Sequence, residues 1–156
     1  MVERPYIKGM TYPADLPPAP PPGAILESAL YAENLDAAAA FYGDVMGLPE
    51  VIRVEGRHIF YRVGPGILLV FDPAATVEGS SNPDLPVPPH GAQGPGHLCF
   101  SATAEELDQW RHRLQAAGHP IEADFQWPNG ARSIYFRDPA GNSIEIAEPR
   151  LWFDEE

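Results

Sequence analysis

One pattern occurs twice in this chain, and that duplication constrains the fold more than any other feature. A first copy opens with Ile25-Leu26-Glu27-Ser28-Ala29-Leu30-Tyr31 and ends a helical run at Met46-Gly47-Leu48-Pro49. A second opens with Gly96-His97-Leu98-Cys99-Phe100-Ser101-Ala102 and ends its helical run at Ala117-Gly118-His119-Pro120. His97 follows Glu27 by 70 residues, and Gly118 follows Gly47 by 71. Further on, His58-Ile59-Phe60-Tyr61-Arg62 returns as Ser133-Ile134-Tyr135-Phe136-Arg137. A period this long is too large for a solenoid and predicts two modules in one domain. The chain has 156 residues, enough to bury one real core.

Local chemistry places the elements. Ile25–Tyr31 reads as a strand, and Asn34 suits the N-cap of a helix from Leu35 to about Met46. Leu35, Ala39, Tyr42 and Met46 recur at helical spacing, and Gly47 suits the left-handed position that ends a helix. Strands follow over Glu50–Val54, His58–Val63 and Ile67–Phe71, separated by Glu55-Gly56 and Gly64-Pro65-Gly66 turns. In the second copy, strand His97–Ala102 leads to Thr103-Ala104-Glu105-Glu106, a capping box. Leu107, Trp110, Leu114 and Ala117 then make one apolar helix face. Strands are expected near Ile121–Phe125, Ala131–Arg137 and Ser143–Ala147, the last two joined by an Asp138-Pro139-Ala140-Gly141-Asn142 turn. Each half is βαβββ. The expected fold class is α+β, two βαβββ modules forming a curved mixed sheet with a cleft, helices on its outer face.

The flanks differ from the modules. Residues 1–24 hold seven of the 19 prolines, which predicts an extended proline-rich arm. A single domain is expected over 25–150, with modules about 25–72 and 97–149, a loop at 73–96 and a tail at 151–156. That loop contains six prolines and is long for a compact domain, as functional loops often are. Net charge is −12, which argues against nucleic acid as a partner, because such binding depends on neutralising phosphates. No apolar run reaches membrane-spanning length and no signal peptide is evident, so a cytoplasmic location is the expectation. The single cysteine, Cys99, excludes an intrachain disulfide and reads as a small buried apolar residue.

Strand parity singles out three residues. Glu27 shares a face with Ile25, Ala29 and Tyr31, His97 with Cys99 and Ser101, and Glu145 with Ser143 and Ala147. The opposite faces are apolar and suit burial under helices. Small neighbours around one imidazole and two carboxylates leave room for a cleft. A carboxylate inside a sheet needs a cation, a hydrogen bond or water. Other readings stand beside this one: Glu27 as a solvated strand acid, His97 as a satisfied core histidine, Glu145 paired with Arg132 or Arg137. His58, His90, His112 and His119 show no metal-ligand spacing, although His90 sits in the long loop. Trp127, Asn129 and Arg132 could line a cleft or simply form a turn.

Asn34-Leu35-Asp36, Phe41-Tyr42, Met46-Gly47-Leu48, Gly96-His97 and Arg137-Asp138-Pro139-Ala140-Gly141-Asn142-Ser143-Ile144-Glu145 together resemble the vicinal oxygen chelate superfamily. This is the glyoxalase/bleomycin-resistance/dioxygenase fold, and the resemblance spans roughly residues 25–150. It implies metal ligands at the first, fourth, fifth and eighth strands, and Glu27, His97 and Glu145 match the first, fifth and eighth. At the fourth, Leu69 or Val70 falls opposite Glu145, with Asp72 the nearest carboxylate. The gap departs from the four-ligand lactoylglutathione lyase pattern. Three ligands resemble the fosfomycin-resistance and extradiol branches, which normally place His on the first strand.

The expected function is a metal-dependent, glyoxalase-like enzyme of the lyase or isomerase type, acting on a small oxygen-chelating substrate. Glu27, His97 and Glu145 would hold a divalent ion (Zn, Ni, Mn, Fe or Mg), with Glu27 or Glu145 as catalytic base. Two alternatives accompany it: an extradiol-type dioxygenase, and a non-catalytic bleomycin-resistance-type binder with Tyr31, Tyr61, Trp127 and Tyr135 lining its cleft. The resemblance also implies a homodimer, in which Glu27 can meet His97 and Glu145 of the other chain.

Overall fold

The structure is a computed structural model and describes residue 17 and residues 19–153. The proline-rich arm therefore lies outside the described residues at 1–16 and 18, and the tail at 154–156. The first module runs β1 (Glu27–Tyr31), α1 (Leu35–Ala39), β2 (Glu50–Val54), β3 (His58–Val63) and β4 (Gly66–Phe71). The second runs β5 (His97–Ser101), α2 (Ala104–Ala116), β6 (Ala123–Gln126), β7 (Arg132–Arg137) and β8 (Ser143–Ala147). Strand orders are β1-β4-β3-β2 and β5-β8-β7-β6. In each module the outer pair of the first and last strands is parallel and the other pairings are antiparallel. The expected α+β fold of two βαβββ modules is therefore present, as two four-stranded mixed sheets.

Capping chemistry acts where it was legible. Asn34 accepts a hydrogen bond from the Ala37 amide at 2.9 Å. Thr103 and Glu106 satisfy each other's backbone amides, completing the capping box. The first helix departs from expectation after Ala39, where it widens into a π-helix over Ala40–Val45. The Met46 amide donates to the Phe41 carbonyl, five residues back. The widened turn lets the adjacent Phe41 and Tyr42 both be buried. Phe41 reaches the second module's Phe136, at 6.2 Å between ring centroids.

One apolar core serves both modules. Leu30, Phe41, Ile59, Leu68 and Val70 of the first join Leu107, Leu114, Ile134, Phe136, Ile144 and Ile146 of the second. Each such side chain, fully buried, contributes about 1.5–3 kcal/mol. Polar ties cross the same junction. Arg113 of α2 donates to the Val45 and Asp44 carbonyls, at 2.6 and 3.0 Å, where the first helix ends.

The Asp138–Asn142 turn does more than close a hairpin. Asp138 is buried and accepts from the Tyr42 hydroxyl at 2.7 Å, the Ala140 and Asn142 amides, and Asn142 Nδ2. Asn142 Nδ2 also donates to the Tyr31 carbonyl, and its Oδ1 accepts from the Gly96 amide at 2.7 Å. One turn thus fixes the end of β1, the entry to β5 and the first helix. Gly96 suits that close approach, since a Cβ would sit 3.0 Å from Leu30 Cδ2 and 3.3 Å from Asn142 Oδ1.

Candidate functional site

The face of each sheet turned away from the helices is set by parity. In the second module, ladder pairing places His97 beside Ser143, Cys99 beside Glu145, and Tyr135 beside Glu145 on its other flank. His97 is half exposed and Glu145 is buried. Their nearest atoms, His97 Nε2 and Glu145 Oε2, stand 3.4 Å apart.

The hydrogen bonds around this pair decide what it needs. His97 Nδ1 lies 3.1 Å from the Ser143 carbonyl oxygen. A carbonyl only accepts, so Nδ1 carries the proton. In a neutral imidazole, Nε2 then points a lone pair at the Glu145 carboxylate. Two electron-rich atoms face each other across 3.4 Å, and only a proton or a cation between them relieves that. Glu145 Oε1 is buried and has no hydrogen-bond partner among the described residues. Such an orphaned atom calls for an unseen partner. A histidine tethered through Nδ1 to a carbonyl is the usual arrangement for a metal ligand. Two ligand atoms at about 2.1 Å from one tetrahedral ion lie about 3.4 Å apart, which matches this pair.

The arginine readings of Glu145 are removed. Arg132 pairs with Asp124 and Asp108 on the helix side, and Arg137 pairs with Glu122. Cys99 is exposed, which corrects the expectation of a buried thiol. The sheet around it still desolvates the sulfur. That desolvation, then the charge of Glu145, pushes the Cys99 thiol up to about 12, so it is no thiolate nucleophile. Desolvation first and Glu145 second also push the Tyr135 hydroxyl up to about 12. Tyr135 stays protonated and can donate beside the carboxylate.

Glu27 is exposed on β1, and it is not gathered with the other two: among the described residues, no group of three His, Cys, Asp or Glu is arranged to hold an ion. It does line a shallow groove between the modules whose other wall includes Leu98, Cys99 and Phe100. Cys99 is the ladder neighbour of Glu145. Glu27 therefore lines a seam that reaches the ladder neighbour of Glu145, while His97 and Glu145 do not line that groove.

The fourth-strand position is settled by register. Glu27 pairs with Ile67 and Ala29 with Leu69, as His97 pairs with Ser143 and Cys99 with Glu145. Leu69 occupies the place of Glu145, whereas Val70 is fully buried on the helix side. Asp72 is used as a cap, accepting from the Ala74 amide at 2.9 Å.

Other candidates divide. His90 is pinned by the Tyr31 hydroxyl at 2.8 Å and packs edge-on against Phe71. His58 stacks on Phe60, and His119 packs edge-on against Phe41. Of the four aromatics expected to line a cleft, Tyr61 is buried under the first helix and Tyr31 belongs to the His90 cluster. Tyr135 is beside Glu145, and Trp127 donates from Nε1 to the Ser133 hydroxyl at 2.8 Å. Phe125 was not singled out by sequence, yet it lies between those two rings. Ladder pairing alone reveals it, since a phenylalanine at a strand end carries no signal by itself.

The glyoxalase/bleomycin resistance protein/dioxygenase superfamily profile matches residues 24–146. The chain belongs to that superfamily. A crystal structure of lactoylglutathione lyase from Agrobacterium tumefaciens is 48% identical, with a TM-score of 0.81, over 86% of this chain and 100% of that one. A putative glyoxalase family protein from Bacillus anthracis shares the fold at 20% identity and a TM-score of 0.61, over 83% and 98% of the two chains. So does a fosfomycin resistance protein mutant from Listeria monocytogenes, complexed with Mn(II) and a dihydroxypropylphosphonic acid, at 18% and 0.59, over 80% and 88%. No described helix is long and apolar enough to cross a membrane.

Proposed function

We propose that this glyoxalase-family chain is a metal-dependent lyase or isomerase acting on a small oxygen-chelating substrate. The observation that carries the reading is the His97–Glu145 pair, a tethered imidazole lone pair facing a buried carboxylate with an orphaned oxygen. His97 and Glu145 would hold the divalent ion (Zn, Ni, Mn, Fe or Mg), with Glu27 closing on it from the seam. A bound ion supplies Lewis acidity toward two neighbouring substrate oxygens, which acidifies an adjacent C–H. Proton transfer falls to the carboxylates. Glu27 is exposed and free to swing, so it is the better base, while Glu145 stays in the sheet. Tyr135, kept protonated, would be available to donate a hydrogen bond to substrate on the same face.

Leu69 separates this site from a four-ligand one. The name of the Agrobacterium relative predicts turnover of methylglyoxal with glutathione; Leu69 predicts little. We further propose a homodimer, supported by the exposed apolar residues Val51, Ile52 and Val54 on the edge strand β2. The deciding measurement is metal content by elemental analysis after reconstitution, for the native protein and for His97→Ala. The native protein should hold about one ion per chain, and the variant should bind at least about tenfold more weakly while keeping its fold. Equal metal content in the two proteins would remove the site.

A further inference from the structure

We infer that the substrate carries an extended planar aryl group, held on an aromatic floor formed by Tyr135, Phe125 and Trp127. This inference rests on the site proposed above and adds the class of substrate. Tyr135 and Phe125 belong to the same sheet face as Glu145, through the pairs Tyr135–Glu145, Ala123–Tyr135 and Phe125–Ser133. The His97 ring is nearly parallel to Tyr135, at 17° and 6.2 Å between centroids. Tyr135 is in turn parallel to Phe125, at 4° and 5.9 Å. Trp127 closes the row against Phe125 at 5.0 Å and 57°. The row begins at the candidate metal ligand and crosses β7 to β6.

Phe125 is 40% exposed, so its ring face is open to a ligand laid along the row. It lies two strands, about 10 Å, across the sheet from Glu145. A chelating head followed by two fused rings spans that distance; a methyl group does not. Among the described residues, the arginines of this sheet are already paired. Arg137, on the same face as Tyr135, is held by Glu122 through two contacts of 2.9 and 3.0 Å. Arg132 points to the helix side, bound to Asp124 and Asp108. A planar aromatic ring finds stacking surface along this row.

The test uses two chelators that share one head. Titrate Mn²⁺-loaded protein calorimetrically with acetohydroxamate and with naphthohydroxamate. The naphthyl ligand should bind at least about tenfold tighter. Phe125→Ala should collapse that preference and leave acetohydroxamate affinity unchanged. Equal affinities in the native protein, or a preference that survives Phe125→Ala, would overturn the inference and leave the metal site standing. If the protein takes up no ion, the functional reading fails separately. The floor is then read in metal-free protein by quenching of Trp127 fluorescence with naphthohydroxamate, using Trp127→Phe as the blank. Quenching lost in Phe125→Ala supports the floor; no quenching at millimolar ligand rejects it. A switch from dimer to monomer in Phe125→Ala would assign the face to a second copy of the chain and also reject it.

Discussion

The two modules share one backbone plan and differ in what their open faces carry. In the second, β5 and β8 bring His97 and Glu145 together, with Tyr135 alongside. In the first, the equivalent ladder places Glu27 beside Ile67 and Ala29 beside Leu69, and the rest of the face is Phe60, Phe71 and the His90–Tyr31 cluster. The connections differ too. The first module turns from β3 to β4 through Gly64 and Pro65 alone, while the second uses the buried Asp138–Asn142 network. A duplicated fold therefore holds one polar, anchored half and one apolar half. On the function proposed above, the ligand pair sits in the anchored half, where it is held rigidly.

The largest test of that contrast is removal of its anchor. Asp138→Ala leaves the Tyr42 hydroxyl, the Ala140 and Asn142 amides and one Asn142 donor without their acceptor. Each buried orphan costs about 1–3 kcal/mol, so the variant should lose about 4 kcal/mol in denaturant unfolding. Pro65→Ala in the first module's turn should lose under about 1 kcal/mol. Comparable losses would erase the asymmetry.

Next in size is an attempt to make the halves alike. Leu69→Glu places a carboxylate where Glu145 stands in the second module. Metal affinity should rise by at least about tenfold if the register above is right. The native protein should show little turnover of methylglyoxal with glutathione when supplied with Zn²⁺, Ni²⁺, Co²⁺ or Mn²⁺. Robust native turnover with any of these would mean that Leu69 is no obstacle.

The smallest expected effect is electrostatic. A hydrogen bond from Arg132 holds Asp124 below the usual carboxylate range, and one from Arg150 does the same for Glu148. Depressed folded values give stability that is complete above the unfolded values, about 3.9 for Asp and 4.3 for Glu, and lost as pH falls through the folded ones. Below about pH 4 the edge strand β6 and its neighbour β7 should therefore exchange their amide protons faster than β2 and β3. Among the described residues, the first module offers only the Glu50–Arg53 pair, which is on the surface. Uniform exchange across both modules in acid would show that these ion pairs contribute nothing measurable.

Much of this was readable from the residues in order. Strand spans, both helix N-caps and the duplication follow from short-range rules, and β2, β3 and β8 coincide with their expected bounds. The parity that put His97 and Glu145 on one open face is equally local. The π-widening was not readable, because it arises from seating Phe41 and Tyr42 in a core shared with the second module. Turn lengths left Leu69 and Val70 equivalent, and only the pairing of β1 with β4 separated them.

The sequence by itself determined that two βαβββ modules would form, and which side chains each strand would show to its open face, because periodicity and capping act over a few residues. Tertiary structure alone decided the rest. It tied residues 31, 42, 96, 138 and 142 into one network, tethered His97 to Ser143, and left Glu145 Oε1 buried without a partner among the described residues. It also set Glu27 on the adjoining seam and Phe125 beside Tyr135. These outcomes depend on which strands become neighbours, and that is chosen by burying one core between both halves of the chain.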